Sequence, residues 1–201
     1  MKQSLAESLE RYVGLIRKYH RSLDLMSEAA VTDIDKMVAE ALRYGDLVES
    51  LSPAPCQVID LGSGVGLPGI PMALRLPRHQ LTLVERRRRR AAFLRIAVSQ
   101  LGMENVSVQQ GDVLEMSSPC AEVIVAQAVG TLKEVFVSTR HLHGEKVWLV
   151  SRKGGGWREE VSEVEAQTGS AVDECREEPL STHGTLVAVL VSGGSACPPS
   201  G

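Results

Sequence analysis

The sequence predicts an α/β protein with an open, mainly parallel sheet of seven strands, helices on both faces and a helical N-terminus. Short apolar runs alternate with amphipathic segments from residue 56 onward, and this alternation is typical of parallel strands joined by crossover helices. A glycine-rich loop follows the first apolar run, where folds of this kind usually bind ligands. The last two runs meet at a short turn, so we expect the last strand to be antiparallel.

The predicted strands and helices can be assigned in order along the chain. The strands are "CQVID", "QLTLVE", "NVSVQQGD", "AEVIVAQA", "KVWLVSRKGG", "SAVDECREE" and "GTLVAVLVS". The helices between them are "GIPMALRL", "RRRAAFLRIAVSQLG", "LKEVFVSTRHL" and "WREEVSEVEAQTG". Gly102 ends the second of these helices, at a position where glycine is the common terminator.

The first fifty residues are predicted to form two helices. One apolar stripe at helical spacing runs from Leu5 to Tyr19 and a second runs from Ile34 to Leu47. We therefore expect a helical extension at 1–52 that packs on a core domain at 53–192. The remaining tail, 193–201, offers no apolar face for packing, so we expect it to be disordered.

The composition is that of an ordinary globular domain, with 43% apolar residues, 23% charged residues and a net charge of −3. No apolar run approaches the roughly 18 residues that span a bilayer, and the first residues lack the apolar block of a signal peptide. The four cysteines match neither a zinc site nor a disulfide pattern. We expect a cytoplasmic protein with no membrane contact and no metal, and we take it to be a monomer.

Two interpretations fit the glycine loop "VIDLGSGVGLPGIP" at 58–71. Gly64, Gly66 and Gly69 satisfy the spacing of a dinucleotide-binding loop, which would make the chain an NAD-dependent oxidoreductase. A second frame starts with an acid at Asp60, which would repel a pyrophosphate but attract the cationic amino-acid end of S-adenosylmethionine. In both interpretations the glycines let the main chain approach a ligand, and the following helix adds amide donors.

Acidic residues stand at the ends of the first three predicted strands. Asp60 ends the first strand, Glu85 ends the second and Asp112 follows the third. Because the carboxyl ends of parallel strands meet at one edge of a sheet, we expect these carboxylates to surround one ligand. Glu85 can accept hydrogen bonds from both ribose hydroxyls, and Asp112 can accept one from the adenine amine. The three acids favour S-adenosylmethionine over a nicotinamide cofactor and predict a class I, Rossmann-like methyltransferase fold.

The segments "DLGSGVGLPGIPMAL", "LTLVERRRRRAAFL" and "LGMENVSV" resemble the RsmG (GidB) family of bacterial 16S ribosomal RNA methyltransferases. The continuation from Gly66 to Pro71 is more restrictive than a generic glycine loop, and "RKGG" at 152–155 also suits the family. The resemblance implies methylation of guanine N7 in small-subunit ribosomal RNA, with S-adenosylmethionine as cofactor. The chain departs from the family pattern at Asp24, Met37, Leu114 and Gln127.

These patterns and the resemblance together give a set of expected site residues. The expected cofactor contacts are Asp60, Gly62, Ser63, Gly64, Gly66, Leu67, Pro68, Glu85, Asp112, Val113 and Gln127. The expected RNA contacts are Arg89, Arg90, Arg152 and Lys153. No general base is assigned, because guanine N7 carries a lone pair and no proton to remove. Gln127 and Lys153 are the candidates for positioning the target base.

Two alternatives stay open at this stage. The departures at Met37 and Gln127 are compatible with a cofactor-binding, methyltransferase-like protein whose substrate is different or lost. The NAD-dependent oxidoreductase rests only on the glycine spacing from Gly64 to Gly69.

Overall fold

One mixed sheet of seven strands forms the centre of the molecule. The computed structural model describes residues 4–117, 120–180 and 184–193. Its strands are β1 (Gln57–Leu61), β2 (Gln80–Glu85), β3 (Val106–Gln110), β4 (Ala121–Ala126), β5 (His143–Lys153), β6 (Ala171–Pro179) and β7 (Thr185–Ser192). They lie in the order β3-β2-β1-β4-β5-β7-β6. The first five strands pair in parallel, and β7 is antiparallel to both β5 and β6. The predicted fold class is confirmed.

Seven α-helices accompany the sheet in the described part of the chain. They are α1 (Leu5–Tyr19), α2 (Glu28–Thr32), α3 (Ile34–Leu51), α4 (Gly69–Arg75), α5 (Arg88–Leu101), α6 (Leu132–Thr139) and α7 (Trp157–Thr168). The short helix α2 was not predicted, because five residues are too few for an apolar period to show. Its first turn is capped by Ser27, whose side chain accepts a hydrogen bond from the Ala30 amide at 3.3 Å.

Two hydrophobic layers cover the two faces of the sheet. Alternate residues of β1 point to opposite layers, as the two-residue period of a strand requires. Val58 packs with α1, α3, α4 and α5, whereas Ile59 packs with α6 and α7. Both side chains are fully buried. The parallel strands at the centre are therefore covered on both faces, which explains why they read as continuous apolar runs.

The N-terminal helices pack directly on the layer that contains α5. The Tyr19 ring makes an edge contact with Phe93, with the ring centroids 6.4 Å apart. The Arg11 guanidinium donates to the Gln100 carbonyl at 2.7 Å. The division into an extension at 1–52 and a domain at 53–192 stays a prediction. The predicted disordered tail lies outside the described residues, except for Gly193.

The strand order places a topological switch point between β1 and β4. From β1 the chain proceeds outward through β2 to β3, and it then returns to the other side of β1 as β4. The loops that leave the two strands diverge, and the crevice between them is where open α/β sheets bind their ligands. The glycine loop lies at the carboxyl end of β1, at this crevice.

Candidate functional site

The glycine loop is a tight turn whose amides are mostly used inside the protein. The Gly62 and Ser63 amides donate to the Val84 carbonyl at 2.9 and 3.0 Å. The Gly66 and Leu67 amides donate to the Ser63 carbonyl at 2.7 and 3.2 Å. These four amides are therefore not available to a ligand. The loop instead presents a bare main-chain surface that a ligand can approach closely.

Two glycines of the loop are required by close packing. Gly66 has a φ of +95°, and a Cβ at this position would lie 2.6 Å from the Ile70 Cδ1 atom. A Cβ on Gly69 would overlap the Asp60 carboxylate and the Leu83 side chain. The loop therefore needs glycine at position 66 for the left-handed backbone and at position 69 for close packing against the sheet.

Glu85 links the glycine loop to the start of α5. Its Oε2 accepts a hydrogen bond from the Gly64 amide at 2.9 Å, and its Oε1 accepts one from the Arg87 amide at 2.7 Å. The residue is 6% exposed and ends β2 at the crevice. Each carboxylate oxygen can accept a second hydrogen bond, so the side chain can still bind ribose hydroxyls.

Asp112 lies at the end of the neighbouring strand and begins a 3₁₀ turn. Its Oδ1 accepts a hydrogen bond from the Leu114 amide at 3.1 Å. Its Oδ2 lies 3.7 Å from the Arg86 Nη1 atom. The Asp112 side chain is 38% exposed, so one face of the carboxylate remains open to a ligand.

Glu85 and Asp112 line one cavity of about 520 Å³, which we call the carboxylate cavity. Its apolar wall includes Leu61, Val84 and Val113. Two carboxylates beside an apolar wall suit a nucleoside, since the acids can bind hydroxyls and an amine while the wall contacts the base. The structure therefore brings together two of the three acids that the sequence singled out.

A second cavity of about 230 Å³ adjoins the first, and we call it the loop cavity. Gly62, Arg90 and Ala128 line both cavities. The loop cavity is further lined by glycine-loop residues, by the N-terminal helical region and by the chain after β4. These residues include Ser63, Gly64, Leu67, Met26, Met37 and Gln127.

A third cavity of about 410 Å³, the Arg152 cavity, lies at the ends of β4 and β5. It includes Gln127, Arg152 and Gly154, and Ala128 is the residue that lines all three cavities. Ala128 has a φ of +57°, which is strained for a residue with a Cβ. Strained backbone of this kind is concentrated at functional sites, which supports a single site made of the three cavities.

Asp60 lies beneath the glycine loop and lines none of the three cavities described above. It is 1% exposed. Burial raises the pKa of Asp60 to about 7, although the nearby Ser63 hydroxyl and Gly69 amide lower it. Neither carboxylate oxygen makes a well-aligned hydrogen bond to a described residue. A direct contact between Asp60 and the cofactor stays a prediction, and the structure places the carboxylate beneath the loop rather than in one of these cavities.

The other predicted cofactor contacts also divide into residues that line a cavity and residues that do not. Gly62, Ser63, Gly64, Leu67, Val113 and Gln127 line at least one of the three cavities. Gly66 and Pro68 line none of them. Gly66 is instead packed against Ile70, and Pro68 precedes α4 as its cap residue. These two residues support the conformation of the loop on the side away from the cavities.

The four cations predicted to contact RNA occupy different environments. Arg89 is exposed, whereas Arg90 is half-buried and lines two cavities. The Arg152 Nη1 atom lies 3.0 Å from Glu40 Oε2. Lys153 is 8% exposed, and its Nζ lies 2.9 Å from the Gly130 carbonyl and 2.8 Å from Glu160 Oε2. Lys153 also lines the Arg152 cavity, although its ammonium group is paired inside the protein, so its contact with RNA stays a prediction.

Several residues of the site were missed by the sequence analysis. Met26, Ala128 and Ser138 line cavities without having been singled out. Ala128 could have been found, since it follows the fourth strand at the carboxyl edge of the sheet. Met26 and Ser138 carry no sequence signal, because a tertiary contact alone brings them to the site. Tyr12 was assigned only to a core stripe, yet its hydroxyl donates to the Val65 carbonyl of the loop at 2.8 Å.

The strand order, the switch-point cavities and the paired acids define a class I S-adenosylmethionine-dependent methyltransferase. Solved structures support the fold. A mutant of MtNAS in complex with S-adenosylmethionine gives a TM-score of 0.64 at 19% identity, covering 96% of this chain and 78% of that one. M. jannaschii TYW2 in complex with AdoMet gives 0.59 at 14% identity, covering 78% of this chain and 74% of that one.

The chain belongs to the GidB family, described as rRNA small subunit methyltransferase G, which matches residues 5–181. Ribosomal RNA small subunit methyltransferase G of Paracoccus denitrificans is 32% identical over 163 residues, 80% of this chain and 82% of that protein. The protein of the same name from Nitrosomonas europaea is 34% identical over 139 residues, 69% of this chain and 63% of that protein. The resemblance noted in the sequence is confirmed, and S-adenosylmethionine is the cofactor of this class.

Within residues 4–117, 120–180 and 184–193, no group of three or more His, Cys, Asp and Glu side chains could hold a metal ion. None of the helices in that part of the chain is both long and apolar enough to cross a bilayer.

Proposed function

We propose that this protein transfers a methyl group from S-adenosylmethionine to N7 of a guanine in small-subunit ribosomal RNA. The observation that carries the proposal is the pairing of Glu85 and Asp112 in one cavity beside the glycine loop, in a chain of the small-subunit rRNA methyltransferase G family. In this assignment Glu85 binds the ribose, Asp112 binds the adenine amine and the apolar wall contacts the adenine ring.

The chemistry asks little of the protein in acid–base terms. Bound S-adenosylmethionine supplies an electrophilic methyl group, and the guanine N7 lone pair forms the new bond while the sulfur–methyl bond breaks toward sulfur. The positive charge moves from sulfur to the purine, so no proton is transferred and no general base is needed. Catalysis can then rest on alignment, and orienting two reactants contributes about 7–11 kcal/mol in favourable cases.

The chain's own residues are suited to this alignment. Gln127 and Ala128 line both the loop cavity and the Arg152 cavity, so the target base is expected to enter from the Arg152 side and meet the donor at this boundary. Met26, Met37 and Leu67 line the loop cavity with apolar side chains, which would exclude water there. The Gln127 amide can donate to the guanine O6 atom, beside N7.

The substrate RNA is proposed to lie along the arginine-rich start of α5 and the mouth of the Arg152 cavity. The side chains from Arg86 to Arg89 are exposed. They stand near the carboxyl edge of the sheet, where the cavities open. We also propose that the protein acts as a cytoplasmic monomer that needs neither a metal nor a membrane. Light scattering of the purified protein tests the assembly state, and activity in the presence of EDTA tests the metal.

Methyl transfer from labelled S-adenosylmethionine tests the function. The acceptors are bare small-subunit RNA, intact small subunits, large-subunit RNA and free nucleosides. We expect label in small-subunit RNA, released as 7-methylguanine after digestion. Binding of S-adenosylmethionine without label in any RNA would favour the methyltransferase-like alternative. Label at another atom or in large-subunit RNA would reject the proposed target.

A further inference from the structure

We propose that Arg90 binds the carboxylate at the methionine end of S-adenosylmethionine. The inference rests on the proposed function and assigns a new residue to its cofactor site. It also moves Arg90 from the RNA surface, where the sequence placed it beside Arg89, to the interior wall of the site.

The position of Arg90 is the first support. Arg90 lies in the first turn of α5 and lines both the carboxylate cavity and the loop cavity. Its Nη1 lies 3.9 Å from the position that a Cβ on Gly64 would occupy. The guanidinium group therefore stands beside the bare main chain of the glycine loop, at the junction of the two cavities.

The second support is an unsatisfied donor. The Arg90 Nε atom is buried and has no hydrogen-bond partner among the described residues. A buried donor on a charged group is costly to leave unpaired. An anionic ligand at this junction would satisfy it, whereas RNA bound to the exposed side of α5 would not reach a buried atom.

The third support is that five amides of the glycine loop are already used inside the protein. The amides of Gly62, Ser63, Gly66 and Leu67 donate to carbonyls of the protein, and the Gly64 amide donates to Glu85. A ligand carboxylate therefore finds none of these five amides available. Of the described residues that line the loop cavity, Arg90 is the charged one.

The two cavities also give the direction of the ligand. A nucleoside held by Glu85 and Asp112 occupies the carboxylate cavity, which meets the loop cavity along Gly62, Arg90 and Ala128. The methionine end would extend across this boundary. Its carboxylate would then pass the one cation on the boundary, and an arginine can bind a carboxylate with two hydrogen bonds.

The test compares two ligands that differ only at the amino-acid end. S-adenosylhomocysteine carries the carboxylate, and 5′-methylthioadenosine lacks it. Calorimetry with the Arg90→Met variant is expected to show about 10–100-fold weaker binding of S-adenosylhomocysteine and unchanged binding of methylthioadenosine. The matched control is Arg88→Met, an exposed arginine of the same helix that lines neither cavity. It should leave both affinities unchanged.

The contrary outcomes are distinct. Unchanged S-adenosylhomocysteine affinity in Arg90→Met would overturn the proposal, and weaker RNA binding alone would return Arg90 to the RNA surface. An equal loss for both ligands would make Arg90 a structural residue. If Arg90→Met does not fold, Arg90→Lys takes its place, with a smaller loss expected for S-adenosylhomocysteine alone. Failure of the unaltered protein to bind either ligand would reject the proposed function itself.

Discussion

Asp60 is a carboxylic acid that the fold buries without a well-aligned donor. Burial raises its pKa from 3.8 to about 7. Between about pH 4 and pH 7 the folded protein therefore holds this proton more tightly than the unfolded chain does. It follows that the free energy of unfolding falls as the pH rises through this window and levels off above it.

The Asp60→Asn variant is expected to lose this pH dependence. The full effect on the wild-type protein corresponds to about 4 kcal/mol between pH 4 and pH 8, and it should be absent from the variant. Urea unfolding at several pH values measures it. Glu104→Gln, which replaces an exposed carboxylate, serves as the control and should keep the wild-type slope. If the unfolding free energies of the wild type and Asp60→Asn changed with pH in the same way, the raised pKa of Asp60 would be contradicted.

Glu85 has a structural role, because its carboxylate accepts hydrogen bonds from two backbone amides, and its proposed second role is to bind the ribose. In the Glu85→Gln variant, the side-chain NH₂ group faces one of the two backbone N–H donors, and the negative charge is lost. We expect S-adenosylhomocysteine to bind at least about 10-fold more weakly than to the wild type, and the unfolding free energy to fall by about 1–3 kcal/mol. Calorimetry and urea unfolding measure the two effects. Glu115→Gln, at an exposed position of the neighbouring turn, should change neither, and an unaltered affinity in Glu85→Gln would contradict the ribose assignment.

The acids also show what sequence can and cannot give at this scale. Glu85 and Asp112 meet in one cavity because parallel strands end at the same edge, which is a property of topology that periodicity reveals. Asp60 obeys the same rule and still misses the cavity, because the loop folds over it. Whether a side chain lies above or below a loop depends on the loop's hydrogen bonds, and these do not follow from residue spacing.

At the scale of elements, Lys153 joins three parts of the fold. Its Nζ lies 2.9 Å from the Gly130 carbonyl and 2.8 Å from Glu160 Oε2. Glu160 in turn accepts from the Leu132 amide at 2.8 Å. The end of β5 is thereby linked to α7 and to the segment between β4 and α6, which carries Ala128 and Val129 at the carboxylate cavity. Lys153 therefore helps to position a wall of the carboxylate cavity, and it also lines the Arg152 cavity.

Replacement of Lys153 by methionine tests this link. We expect a loss of about 3 kcal/mol in unfolding free energy, because Glu160 and the Gly130 carbonyl lose a buried partner. We also expect a higher KM for S-adenosylmethionine with a smaller change in kcat. Lys146→Met is the matched control, since it breaks an exposed ion pair with Asp173 and should cost less than about 1 kcal/mol. Equal effects of the two substitutions would refute the positioning role.

Among the helices, the sequence predicts those that are long enough for apolar residues to repeat at helical spacing. The apolar stripes predicted α1 and α3, and Gly102 has the left-handed conformation expected at the end of α5, with a φ of +64°. The five residues of α2 were too short to detect. The contact of α1 with the glycine loop through Tyr12 and Val65 was not predictable. Apolar spacing shows which face of a helix is buried, but it does not show which part of the protein packs against that face.

At the scale of the whole molecule, a net charge of −3 must be reconciled with an RNA substrate. The exposed arginines of α5 concentrate positive charge near the carboxyl edge of the sheet. Attraction to RNA is then local, and it is expected to be sensitive to salt.

Salt titration of RNA binding tests this arrangement. Contacts with about three phosphates of single-stranded RNA would lower log affinity by about 2 for each tenfold rise in salt. The Arg89→Ala variant should reduce that slope by about 0.7 and leave S-adenosylhomocysteine affinity unchanged. Arg176→Ala, on β6, is the remote control. A wild-type slope in Arg89→Ala would remove this residue from the RNA surface.

The conformation of Ala128 carries a consequence for how the site can vary. One methyl group on a left-handed backbone borders the three compartments where the nucleoside, the amino-acid end and the target are proposed to lie. Any larger side chain would narrow all of them together. The proposed donor and acceptor sites therefore share Ala128 as a wall residue, so a larger residue at this position is expected to affect the binding of both.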